Sequence, residues 1–154
     1  MNYWLMKSEP SEFSIDDLKN AKGKVDHWDG VRNYQARNFM RDGMKKGDMV
    51  FFYHSNCEEP GIVGLMRVHR NAYADHTAFD PGDKHFDPKS DADNPRWMMV
   101  DVKYVRKLKR TISLAELKGY TERQLKGFSL LRKGNRLSIM PVNKRQWDFI
   151  LGLE

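Results

Sequence analysis

The sequence lacks several features on which large classes of protein depend. It has one cysteine, Cys57, in 154 residues, so no disulfide can form within the chain and a reducing compartment is expected. It has no apolar run of about 18 residues, so we expect no membrane-spanning helix. A basic segment followed by a long apolar stretch is missing near Met1, so we expect no signal peptide. These absences predict a location in the bacterial cytoplasm or, in a eukaryote, the nucleus.

The sequence motifs of common catalytic and metal sites are also missing. Ser55 is not framed by the glycines of a nucleophile elbow, and no glycine-rich phosphate loop occurs. His54 and Cys57 lack two further zinc ligands at workable spacing. Asp91 and Asp93 lack the glycine and terminal glutamate of a calcium loop. We therefore predict no catalytic residues, no metal site and no cofactor, and a protein that is not an enzyme.

The chain has an excess of positive charge, and that excess is confined to one part of the sequence. Residues 101–154 carry 13 basic and 5 acidic side chains, a net charge of +8, whereas residues 1–100 have a net charge of −2. Such a segment indicates a polyanionic partner, with nucleic acid the first candidate. We expect Arg106, Lys107 and Lys109 to contact the nucleic-acid backbone. The alternative is a solvated basic face without a partner.

The hydrophobic pattern predicts one α+β domain over residues 1–154, and we expect it to be a monomer. Short helices are predicted after the capping residues Ser14, Asn33 and Asn143, with further helical pieces at 112–117 and 121–131. Residues 71–96, with six aspartates and three prolines, are predicted to form a long surface loop. The predicted strands are residues 2–6, 49–54, 62–69, 97–108 and 136–142. About five or six strands with short peripheral helices indicate a small, mixed β-barrel.

Three polar segments in the first 56 residues could converge on one site: Lys7-Ser8-Glu9-Pro10, residues 28–33 and residues 53–56. In the second, Trp28 offers an aromatic face and Asn33 an amide, which suits a flat heterocycle. Gly30 between them would let the backbone pass close to a ligand. The simpler alternatives are a core tryptophan at Trp28 and helix caps at Ser8 and Asn33.

Taken together and in order, five segments of the chain resemble the EVE domain family. They are residues 3–10, 28–33, 53–55, 95–97 and 136–142. The resemblance implies a PUA-like fold, a mixed β-barrel with peripheral helices. This fold is similar to that of the YTH domains, which hold a methylated adenine in an aromatic cage.

The resemblance also implies a function. The protein is expected to be a reader of a modified, most simply methylated, base in DNA or RNA, extruded from its stack into an aromatic-lined pocket. The residues expected around that base are Ser8, Trp28, Asn33, His54 and Ser55, with Tyr53 and Trp97 as further walls. Independently of the resemblance, Lys7 and Arg32 are expected to contact the nucleic-acid backbone; the alternative for Lys7 is a solvated side chain. The preferred base, and the choice between DNA and RNA, stay open.

Two other functions fit the sequence. One is a hydrolase of modified nucleosides with His54 or an aspartate as its base. Adjacent strand residues point to opposite faces, so His54 and Ser55 cannot easily form a base–nucleophile pair with each other. The other is an RNA-binding protein that uses the basic face without base selectivity. Turnover of nucleosides identifies the first, and equal affinity for modified and unmodified oligonucleotides identifies the second.

Overall fold

A six-stranded mixed sheet forms the centre of the molecule in the computed structural model, which describes residues 1–154. The strands are β1 (Tyr3–Ser8), β2 (Val25–Trp28), β3 (Met49–His54), β4 (Gly61–Ala74), β5 (Met98–Ser113) and β6 (Ile139–Val142). Their order across the sheet is β2-β5-β4-β3-β1-β6. Strands β1 and β3 are parallel, and all other neighbours are antiparallel. The parallel pair aligns Ser8 with His54 at one end of the sheet.

Short helices surround the sheet. They are α1 (Ile15–Asn20), α2 (Tyr34–Asn38), α3 (Leu114–Lys118) and α4 (Lys144–Leu151), with a π-helical turn over Phe39–Gly43. The caps predicted at Ser14, Asn33 and Asn143 are present, and Ser14 and Asn143 form complete capping boxes. None of these helices has the length and apolar character needed to cross a bilayer.

The two faces of the sheet bury separate hydrophobic cores, as strand alternation requires. On β1, Trp4 and Met6 belong to the core that α1 and α2 cover. Leu5 points the other way, into a core completed by Trp147 of α4. Trp147 stacks on Phe51 with ring centroids 3.8 Å apart. Both faces are therefore closed to solvent, and an open site must lie at an edge or an end of the sheet.

The predicted α+β architecture is confirmed, with differences in detail. The six strands do not close into a barrel, because β2 and β6 lie at opposite ends of the strand order. Strand β4 continues to Ala74, into the predicted loop, because its residues 70–74 pair with β5. Strand β2 was not predicted, since its sequence is short and polar. Residues 121–131 are turns with one short 3-10 helix at Ser129–Leu131, and Gly127 takes a positive φ of 83° there.

Candidate functional site

A cavity of about 980 Å³ opens beside the C-terminal residues of β1 and β2. Residues 7–9 and 12–13 form one wall, residues 26–32 form the second, and residues 82–85 form the third, with Ser138 beside them. The ion pair between Lys84 and Glu12 joins two of these walls. The cavity thus gathers segments that lie up to about 130 residues apart in the sequence.

Trp28 provides the aromatic wall of this cavity. Its ring meets Phe13 and Phe52 edge to face, with centroids 6.1 Å and 5.3 Å apart. The residue is only 7% exposed and belongs to the hydrophobic core. Trp28 is therefore both a core residue and a cavity residue. Because its ring is fixed by aromatic neighbours, it offers a rigid edge or face at little entropic cost.

Gly30 turns the chain sharply beside Trp28. Its φ is +77°, a conformation that side chains rarely adopt, and a Cβ here would lie 2.6 Å from Nε2 of His85. The backbone at this glycine passes close to the His85 imidazole, and its predicted approach to a ligand stays a prediction. The N–H of Gly30 donates to Oδ2 of Asp75 at 2.8 Å.

A polar cluster behind the cavity fixes the position of Arg32. Its guanidinium donates to Oδ2 of Asp75 at 3.0 Å, to Oγ1 of Thr77 at 3.1 Å and to the carbonyl of His85 at 2.8 Å. Burial alone raises the pKa of Asp75, but hydrogen bonds from Thr77, Gly30 and Arg32 outweigh it and hold that pKa below its usual value. Arg32 thus ties the second wall to the third.

The two polar residues at the end of β1 differ in their surroundings. The Ser8 hydroxyl donates to the carbonyl of Phe13 at 2.6 Å, which holds the first wall in place. Lys7 is half-buried, and burial lowers the pKa of its ammonium. That ammonium lies 5.7 Å from the centroid of the Tyr53 ring. Ser8 and Lys7 both line the cavity, as do Trp28 and Arg32.

The other five residues expected around the base do not line the cavity. Asn33 is exposed and caps α2, its side chain accepting from the N–H of Ala36 at 2.9 Å. Tyr53 is buried in the second core, where burial raises its pKa to about 12. Trp97 is 6% exposed and donates from Nε1 to Asp87 at 2.7 Å.

His54 and Ser55 lie just behind the first wall. Nε2 of His54 accepts a hydrogen bond from the backbone N–H of Ile15 at 3.1 Å. Burial, the largest influence, lowers the pKa of this imidazole. The N–H of Ser55 donates to the carbonyl of Ser8 at 3.0 Å. Both residues support the end of β1 from outside the cavity.

The basic residues expected to hold phosphates are spread along β5, away from the cavity lining. Arg106 forms an ion pair with Glu154 at 2.8 Å, and Lys107 forms one with Asp16 at 3.0 Å. These pairs reduce the positive charge that β5 presents. A phosphate-binding role for Arg106, Lys107 and Lys109 stays a prediction.

The cavity itself is acidic. Its side chains include five carboxylates, from Glu9, Glu12, Asp26, Asp29 and Asp83, and three cations, from Lys7, Arg32 and Lys84. The imidazole of His27 lies between two of the carboxylates, 3.3 Å from Asp26 and 3.3 Å from Asp29. This wall repels phosphate and favours a ligand edge rich in N–H donors. No group of three or more His, Cys, Asp or Glu side chains is placed to hold a metal ion.

The third wall is the part of the site that the sequence analysis missed. Asp83, Lys84 and His85 come from the aspartate-rich segment, residues 71–96, which was predicted to be a long surface loop without a calcium site. Their link to Arg32 and Glu12 spans 53 and 72 residues of sequence. No local pattern signals such a contact, since the aspartate-rich segment has other basic residues at His76, Lys89 and Arg96.

Comparison with known proteins gives consistent matches over the whole chain. The family model described as EVE domain matches residues 2–153. Human thymocyte nuclear protein 1 is 51% identical over 168 residues, which cover 99% of this chain and 74% of that protein. The crystal structure of human THYN1 protein in complex with 5-methylcytosine-containing DNA superposes with a TM-score of 0.94 at 50% identity, covering 99% of this chain and 97% of that one.

A more distant likeness concerns the fold alone. The YTH domain of the Zygosaccharomyces rouxii MRB1 protein, solved with N6-methyladenosine RNA, has a TM-score of 0.54 at 13% identity and covers 99% of this chain and 83% of that one. The expected relation of this fold to that of the YTH domains is thereby confirmed.

Proposed function

The chain belongs to the EVE domain family, and from that premise we propose that it binds DNA carrying a modified base, with 5-methylcytosine as the first candidate. The observation that carries the proposal is the cavity beside Trp28, on a chain 50% identical to a protein solved with 5-methylcytosine-containing DNA. RNA carrying a methylated base is the alternative ligand, and the same cavity serves both.

The dimensions of the cavity support this function. Ligand sites have volumes of about 300–1,000 Å³, so a volume of about 980 Å³ accommodates a nucleobase with its sugar. A base inside a duplex cannot reach such a site, so it has to be extruded at a cost of a few kcal/mol. Contact with the Trp28 ring offsets about 1–3 kcal/mol of that cost. The ring of Trp28 and the acidic walls also determine which base the cavity accepts.

The acidic lining favours particular base edges. Exocyclic amino groups and ring N–H groups are donors, and the carboxylates of Asp26, Asp29 and Asp83 are acceptors that line the same space. Cytosine and adenine both carry an amino group, whereas thymine has none. A buried methyl group adds about 0.8 kcal/mol, so selectivity for the methylated base over the plain base is expected to be modest unless the pocket penalises the plain base.

We propose binding without turnover. His54, the base that a hydrolase would use, lies outside the cavity lining, and its Nε2 already accepts a hydrogen bond from Ile15. The location follows from the same family membership: thymocyte nuclear protein 1 is nuclear by name, so we propose a nuclear location in a eukaryote and a cytoplasmic one in a bacterium.

A binding panel with a matched pair of variants tests the function. Oligonucleotides containing one cytosine, 5-methylcytosine or N6-methyladenine are titrated with wild type, Trp28→Phe and Trp147→Phe. Both tryptophans are buried, but Trp147 lies in the core on the opposite face. We expect the 5-methylcytosine strand to bind most tightly and only Trp28→Phe to weaken it. Equal affinities for all strands support the base-unselective alternative, and product formation that His54→Ala abolishes supports the hydrolase.

A further inference from the structure

Two exposed aromatic rings stand beside the cavity without taking part in its lining. Tyr34 is 52% exposed and Phe86 is 38% exposed. Each follows a cavity residue, Arg32 and His85 respectively, by no more than two positions. The guanidinium of Arg32 donates to the carbonyl of His85 at 2.8 Å. The segments that carry the two rings are therefore held together at the cavity.

Tyr34 is held in a built arrangement. Its ring stacks on Trp97 with centroids 4.8 Å apart and an interplanar angle of 26°. Trp97 is buried and fixed by its hydrogen bond to Asp87. Asn33 caps the helix that begins at Tyr34, so the main chain of Tyr34 is fixed as well. An exposed tyrosine with this much support presents a rigid stacking surface.

Cations surround this aromatic pair. The guanidinium carbon of Arg37 lies 4.8 Å from the centroid of the Tyr34 ring, and that of Arg32 lies 5.5 Å from the Trp97 ring. Arg37 also donates to the carbonyl of Arg96 at 3.0 Å, which brings a third arginine to the same place. Asp87 is the carboxylate that pairs with Arg96. Since Arg32 is likewise paired with Asp75, the positive charge that remains beside the aromatic pair comes from Arg37, in contrast to the acidic cavity next to it.

We propose that Tyr34, Trp97 and Arg37 form an aromatic platform that binds the nucleotide next to the extruded base in the same strand. The neighbouring base takes the place of the Arg37 guanidinium over the Tyr34 ring, and Arg37 moves to meet its phosphate beside Arg96. Positive charge with a base-sized aromatic surface is the combination that single-stranded nucleic acid requires. An acidic cavity repels the phosphates of its own ligand, so a basic surface at its side is where they are expected. The inference rests on the proposed function, which supplies the extruded base.

The test compares ligands of increasing length. Wild-type protein, Tyr34→Ala, Tyr34→Phe and Val105→Ala are titrated with the 5-methylcytosine mononucleotide and with a trinucleotide that has it at the centre. Val105 is a control, because it is another exposed hydrophobic residue, 38% exposed, but lies on β5. We expect Tyr34→Ala to weaken trinucleotide binding about tenfold or more and to leave mononucleotide binding unchanged. Tyr34→Phe keeps the ring and should bind like wild type.

A second pair of variants tests the charge. Arg37→Gln removes the cation above Tyr34, and Arg41→Gln removes an arginine that pairs with Asp42 one turn further on. Only Arg37→Gln should weaken the trinucleotide and reduce the salt dependence of its binding.

The outcomes separate the two proposals. The platform is overturned if Tyr34→Ala weakens binding of the mononucleotide and the trinucleotide equally, or weakens neither. The second result would instead assign the exposed ring to contact with a protein partner. If methylation of the cytosine makes no difference while Tyr34→Ala still weakens the trinucleotide, the proposed function fails and the platform stands.

Discussion

The cavity and the aromatic platform lie side by side but have opposite electrostatic character. The cavity has two more carboxylates than cations, whereas three arginines and two paired aspartates, Asp75 and Asp87, surround the platform. Arg32 belongs to both, since it lines the cavity and lies against Trp97. The difference shows how one surface can handle the two parts of a nucleotide separately. A base with N–H donors suits the acidic side, and its phosphate suits the basic side.

The largest effect on stability is expected at Asp75, the buried carboxylate that positions Arg32 for both the cavity and the platform. Asp75→Asn removes the carboxylate that pairs with Arg32 and accepts from Gly30 and Thr77. Leaving Arg32 without its partner should lower the free energy of unfolding by about 3 kcal/mol, near the lower end for broken buried pairs because Arg32 is partly exposed. Chemical denaturation measures the loss. Asp42→Asn breaks the exposed pair with Arg41 and should change little; similar losses in both variants contradict the cluster's role.

A smaller effect is expected from a change that touches only the cavity. Gly30→Ala and Gly134→Ala both add a Cβ at a positive φ, of +77° and +76°. The cost of that conformation, about 1–2 kcal/mol, is common to both. Only at Gly30 does the Cβ meet the His85 ring, so this variant should be less stable by about a further 1 kcal/mol or more and should bind the base more weakly. Thermal denaturation and titration of both proteins decide; equal behaviour means that His85 does not set the shape of the cavity.

The pH dependence of stability sharpens the role of Asp75. Its pKa in the folded protein lies below the unfolded value of about 3.9. The unfolded chain therefore takes up this proton first, and the stability that Asp75 contributes is complete above about pH 5. It is lost as the pH falls through the folded pKa. Unfolding measured from pH 6 to pH 3 should show a steeper acid loss for wild type than for Asp75→Asn, and parallel curves contradict this assignment.

The smallest effect is expected on β5. Neutralising Arg106, Lys107 and Lys109 together should make the salt dependence of oligonucleotide binding shallower. The change in slope should be smaller than the loss of three phosphate contacts would cause. The reason is that Arg106 and Lys107 are already paired with Glu154 and Asp16. The double change Arg37→Gln with Arg96→Gln should reduce the slope at least as much. A larger reduction in slope from the β5 variant would show that the phosphates lie along β5 and not beside the platform.

The same two regions show where sequence reasoning succeeds and where it stops. Trp28 could be found because a tryptophan among polar neighbours with a following glycine is a local pattern. For Asn33 and Ser8, the sequence allowed either a helix cap or a ligand contact. Asn33 is the helix cap, and the Ser8 hydroxyl secures the carbonyl of Phe13 at the cavity wall. An amide before a helix looks the same in sequence whether it caps the helix or contacts a ligand.

Long-range contacts account for what the sequence did not reveal. His85 reaches Gly30 and Arg32 only because residues 75–85 fold back over the end of β2. Trp97 looked like a cavity wall, yet it is buried and supports Tyr34 instead. Tyr34 itself gave no signal, because exposure depends on the packing of its neighbour. Residue types predict chemistry, but only the fold decides which of them face the same space.

A crystal structure of the protein with a short DNA strand carrying 5-methylcytosine tests the central claim most directly. We predict that the modified base lies in the cavity against Trp28, with its amino group facing the carboxylates of residues 26–29 or Asp83. The adjoining nucleotide should lie on Tyr34. A strand bound along β5 with the cavity unoccupied, or a base held outside the cavity, contradicts the claim.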